Sequence, residues 1–203
     1  MTPIAALLGV GVLALLGRGS TSSTSSTSSS SSTSKPRTAW EDVPVADDSS
    51  EADSQARRIA SSSETPWIPI ALQEFGQAER TGGENPRIVE YHRSVDSSVS
   101  TDEVPWCASF VGWVLTKAGH AGTRSRLARS YLSWGRSTPP RFGAVVVLSR
   151  GSSSTQGHVG FLVASSDDQS TIYVLGGNQG DRVSIAPFAA SSVLGYRWPE
   201  VSA

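Results

Sequence analysis

Two adjacent prolines, Pro139 and Pro140, divide the apolar pattern of this chain. Upstream of them the apolar residues recur at helical spacing. Trp106, Phe110, Trp113 and Val114 fall at i, i+4, i+7 and i+8, a single apolar stripe. Downstream the pattern changes to short runs rich in β-branched residues: FGAVVVLSR (142–150), GHVGFLVASS (157–166), STIYVLGGN (170–178) and DRVSIAPF (181–188), with SVLGYRWP (192–199) placed to close the sheet. Glycine, Asp and Ser turns separate them. Helices first and an antiparallel meander after predict an α+β fold, with N-terminal helices packed on one side of an antiparallel β-sheet.

Within the helical half, 66–80 opens on prolines suited to a first helical turn, and Pro86 opens a second short helix. Before the third, Thr101 or Asp102 is placed to cap, Glu103 adds negative charge, Pro105 suits the first helical position and Gly119 ends the helix. SRLARSYLSWG, ending at Gly135, reads as another short helix.

The composition of the first 65 residues is different. Residues 1–18 form an apolar segment whose run of 17 uncharged residues is shorter than the roughly 20 that a spanning helix needs. No Lys or Arg precedes Arg18, so the charged start of a secretory signal is missing. A signal or membrane-associated segment and a helix docked on a partner both fit. Residues 19–65, beginning with the Ser/Thr tract, read as a flexible linker, and 66–200 as the folded domain.

Several functions are excluded at once. The net charge of -1 gives no general attraction to nucleic acid. A single cysteine excludes an intrachain disulfide framework and a Cys-rich zinc site. There is no HExxH, P-loop, GxGxxG after a strand or GxSxG, so neither a metal nor another cofactor is expected.

The one cysteine, Cys107, falls in the first turn of the predicted helix, where unpaired backbone N–H groups and the positive end of the helix dipole favour a thiolate. The alternative is a cysteine used as a small core hydrophobe. His92 and His120 read as surface residues. His158 opens a strand between two glycines, and on the alternation it falls on the face opposite Val159, Phe161 and Val163. A Cys–His pair needs only proximity in space. If 157–166 and 170–178 form a hairpin, the start of one lies beside the end of the other. Asn178 is then placed to orient the imidazole through its amide oxygen.

Taken together, NPRIVEYH, DEVPWCASFVGWVL, ARSYLSWG, GHVGF, LGGNQGDRVSI and VLGYRWP resemble the NlpC/P60- and CHAP-like cysteine peptidases, bacterial and phage cell-wall hydrolases. The resemblance runs from about Trp67 to Pro199. It implies a papain-like fold and cleavage of amide bonds in peptidoglycan through an acyl-enzyme. Cys107 would be the nucleophile, His158 the base and Asn178 the third member, with Glu103 a further acidic candidate. Trp106, Trp134 and Gln179 are the expected substrate-binding residues. It also implies an extracytoplasmic setting, in the cell envelope or a phage virion; the apolar residues 1–18, which the resemblance does not reach, are the expected contact to membrane or virion protein. The competing expectation is a non-catalytic cell-wall-binding or virion structural module that keeps the hydrolase fold.

Overall fold

A computed structural model describes residues 39–60 and 64–200. The helices are α1 (Ser49–Ile59), α2 (Trp67–Gln73), α3 (Pro86–Val95) and α4 (Cys107–Lys117), followed by a 3-10 turn at Ala128–Ser133. The strands are β1 (Arg136–Ser137), β2 (Val145–Ser149), β3 (Gly157–Ser165), β4 (Thr171–Gly176), β5 (Ser184–Ala189) and β6 (Val193–Trp198). All six form one antiparallel sheet in the order β1-β6-β2-β3-β4-β5. Only the two-residue β1 lies before the paired prolines, so the change of period falls close to the boundary between helices and sheet, and the α+β arrangement is the one the papain-like resemblance implies.

The sheet is apolar on both faces. Val145, Val147, Val159, Phe161 and Leu175 face the helices, in one core with Trp67, Tyr91, Trp106 and Phe110. Val146, Leu148, Leu162, Ile172 and Val174 form a second, smaller core on the other face, covered by Val43 and Trp40. α4 carries apolar residues almost all round, as a helix clasped between α3 and the sheet must.

The N-terminal boundary of the domain differs from the expected linker. Residues 43–60 belong to the folded unit. The backbone N–H of Ala46 donates to Ser165 and that of Ser165 to Pro44, both at 2.8 Å, extending the sheet at the end of β3. Asp48 caps α1 by accepting from the N–H groups of Ser50 and Glu51. Ala52 and Ala56, one turn apart and fully buried, lay α1 against β3 and β5. An alanine stripe in a Ser-, Asp- and Arg-rich stretch carries little hydrophobic signal, yet small side chains allow helix and sheet to approach closely. The apolar segment 1–18 and the Ser/Thr tract up to residue 38 lie outside the described residues.

Candidate active site

α4 begins at Cys107 itself, with Trp106 in the capping position and no side-chain cap. Asp102, expected as a cap, is instead buried and accepts from the backbone N–H of Asn85 at 2.8 Å and of Arg80 at 3.3 Å, holding two loops together. Glu103 is exposed in the turn before α4. His92 is fully buried rather than at the surface. Its Nε2 lies 3.2 Å from the Val104 carbonyl, which can only accept, so Nδ1 takes the hydroxyl proton of Ser109 at 2.9 Å. The loop entering Cys107 is therefore fixed from beneath. His120 is half-buried against Trp67.

Cys107 is 6% exposed and lines a cavity of about 260 Å³ with Pro105, Leu127, Ala128, Arg150 and Gly157. The cavity shares Pro105, Arg126 and Leu127 with a larger groove of about 790 Å³. Burial pushes the Cys107 thiol up. It is opposed by the backbone N–H groups of Val159 and Ala108, then by the Arg150 guanidinium and the N–H of Cys107 itself. The Val159 donor is a product of strand register. Leu162 directs both its backbone groups toward β2, so by alternation Val159 directs its N–H toward the β4 side. There the pairing with β4 stops at Phe161 and Leu175, and the N–H is left for the sulfur.

His158 pairs with Leu148 across the ladder and so lies on the face opposite α4. Its ring stacks on Phe188 at 5.2 Å and 21°. The Gln179 amide donates through Nε2 to the carbonyls of Val174 and Ser184, at 3.1 and 2.6 Å. Its Oε1 is thereby turned toward His158, 2.9 Å from the imidazole Nε2. An amide oxygen can only accept, so Nε2 carries the proton and Nδ1 the lone pair. Burial lowers the His158 pKa to about 4, with Gln179 opposing and Arg150 reinforcing the shift. At neutral pH the imidazole is therefore neutral and the thiol protonated, and no hydrogen bond joins them among the described residues.

Asn178, the expected third member, is not the residue that meets the imidazole. Continuing the Phe161–Leu175 register by three residues does place Asn178 opposite His158. But β4 ends at Gly176, and Asn178 adopts a left-handed conformation, φ +58°, that turns its side chain away. Asn178 Nδ2 donates to Glu79 Oε1 at 3.0 Å, and the next residue, Gln179, meets the imidazole. Gln179 thus lies against His158 rather than in the cavity. Trp106 is not placed to bind substrate. It is fully buried, donates from Nε1 to the same Glu79 oxygen at 2.8 Å, and packs so tightly under Gly177 that a Cβ there would lie 2.3 Å from its ring. Trp134 lines a separate hollow with His120 and Ala121, donating to the Ala121 carbonyl at 2.7 Å. Glu79 and Arg150 have no motif around them, and sequence reasoning passed over both.

Residues 99–178, the span that holds Cys107, His158 and Asn178, match the model of the CHAP domain. The chain is CHAP-like. No curated protein matches the chain. Among solved structures, a protein described as similar to lipoprotein, NLP/P60 family, from Staphylococcus aureus subsp. aureus Mu50 aligns with a TM-score of 0.40 and 17% identity, over 79% of this CHAP-like chain and 45% of that one. The CHAP-like chain thus spans less than half the length of that protein. Among the described residues no helix is long and apolar enough to cross a membrane.

Proposed function

We propose that the chain hydrolyses amide bonds of peptidoglycan at an extracytoplasmic site, with Cys107 as nucleophile, His158 as general base and Gln179 as the residue that orients the imidazole. The observation that carries this reading is the tautomer: a proton fixed on Nε2 leaves Nδ1 as the basic nitrogen. Nδ1 takes the thiol proton as sulfur attacks the amide carbonyl carbon. Negative charge moves to the carbonyl oxygen, and the N–H groups at the start of α4 supply donors for it. The tetrahedral species collapses as the imidazolium returns the proton to the leaving amine, giving a thioester. Water, deprotonated by the same imidazole, releases the acid and restores the thiol.

Glu79 supports this as a positioning residue. One carboxylate oxygen ties the residue before Cys107 to the turn before Gln179, so nucleophile and orienting amide share an anchor. Digestion of purified peptidoglycan, with mass analysis of released fragments, tests the proposal. Wild type releases new amine and carboxyl ends and Cys107→Ala releases none. Wall binding without products by either protein would replace the proposal with the non-catalytic module.

A further inference from the structure

Arg150 opens the loop between β2 and β3 and lines the Cys107 cavity. The neighbouring cations are occupied. Arg126 pairs through Nε with Asp96 at 3.0 Å. Arg129 donates from Nε to the Gln156 carbonyl at 2.7 Å and from Nη2 to that of Ser153 at 2.6 Å, bracing the loop that Arg150 begins. Arg150 itself is exposed and makes no hydrogen bond or ion pair among the described residues. No carboxylate side chain of the described residues lines the cavity. A guanidinium is thus held open beside a nucleophile, over a braced loop, with no counter-ion from the protein.

We propose that Arg150 determines specificity by receiving a free carboxylate of the substrate next to the scissile amide, so that the site selects carboxylate-bearing stem peptides over their carboxamide counterparts. This rests on the reading of Cys107 as the nucleophile of a peptidoglycan hydrolase. The chemistry is that of a planar fork of donors, which matches a carboxylate with two parallel charge-assisted bonds. A carboxamide offers a neutral acceptor and presents its own N–H₂ to the cation. Lysine keeps the charge and loses the fork.

Two measurements test this, and neither needs turnover. In the first, Cys107 is alkylated by iodoacetate and by iodoacetamide at low ionic strength. A cation beside the thiol speeds the anionic reagent, so the rate ratio should fall about fivefold in Arg150→Gln, stay near wild type in Arg150→Lys, and fall with added salt in wild type. An unchanged ratio in Arg150→Gln overturns the proposal. In the second, a stem peptide with a free carboxylate on the residue supplying the scissile carbonyl, and the same peptide as its carboxamide, are titrated into Cys107→Ala by calorimetry. The carboxylate form should bind about tenfold tighter, and the preference should vanish when Arg150→Gln is added. Equal binding of the two peptides overturns the proposal. If both results are as expected and wild type releases no product from peptidoglycan, the carboxylate site stands and the hydrolase reading falls.

Discussion

Cys107 lies on the helix-covered face of the sheet and His158 on the face opposite, and the two are held by different means. Backbone holds the cysteine: the start of α4 places it, and N–H groups of Ala108 and Val159 meet its sulfur. Side chains hold the histidine: Gln179 sets its tautomer and Phe188 its ring plane. Backbone positioning depends little on the identity of neighbouring side chains. Positioning by side chains depends on single residues, so the histidine side should be the easier one to tune by mutation.

The largest effect expected on the cysteine side is that of Cys107→Ser. Hydrolysis should fall by about 10³-fold or more, because the hydroxyl is a far weaker nucleophile at its ordinary pKa. Circular dichroism and the thermal midpoint should stay close to wild type, since the change is nearly isosteric. Retention of substantial activity would remove Cys107 from the mechanism.

On the histidine side, His158→Gln should cost about 10²- to 10⁴-fold in kcat/KM. In wild type the acid limb of kcat/KM should lie near pH 4, where burial places the His158 pKa, and not near 6.5. Stability follows the same group. His158 stays neutral in the folded protein down to about pH 4, while in the unfolded chain it binds a proton below about 6.5. The unfolded state therefore holds more protons in that window, and stability falls as pH drops through it, by up to about 3 kcal/mol. Burial also lowers the pKa of His92, which acts in the same direction. Thermal midpoints measured from pH 7 to 4 should decline less steeply in His158→Gln, and an identical slope would contradict the assignment.

The next comparison sets Gln179 against Asn178. Gln179→Ala should lower kcat about 10- to 100-fold, because the imidazole loses its orienting acceptor. Gln179→Glu places a carboxylate there, which favours the imidazolium and should move the acid limb upward. Such a shift is what a merely structural glutamine would not give.

Asn178→Ala should have the smallest effect on rate. It loses one hydrogen bond to Glu79 and forces alanine into a left-handed conformation, for about 1–2 kcal/mol of stability. A larger loss of kcat than in Gln179→Ala would restore Asn178 to the third position.

The sequence singled out the two residues of the proposed pair because both sit at element starts, which leave strong signals. Cys107 follows Pro105 at the head of an apolar stripe, and His158 lies between glycines at the head of a β-branched run. Strand register was legible as well, since the extrapolated pairing does set residue 178 opposite 158. What could not be read was where β4 stops. GGNQGD is all turn formers, and only the left-handed φ at Asn178 decides which of two adjacent amides turns toward the imidazole. Trp106 was misleading for a related reason. An aromatic beside a nucleophile suggests a cleft wall, but the residue capping α4 points into the core, under Gly177. Arg150 carried no signal, because an arginine at a strand end has the pattern of any solvated terminus.

The docking of α1 has a consequence for how the molecule comes into being. α1 is synthesised first among the described helices, yet it rests on β3 and β5, which are synthesised near the end. Contacts so distant along the chain must close a long loop before they contribute, and folds built on them form slowly. A nascent chain therefore holds the segment of α4, with Cys107, well before it holds β3, with His158. On the proposed mechanism, reactivity is in this sense a property of the finished polypeptide: a ribosome-bound fragment ending before β3 carries the Cys107 thiol without His158.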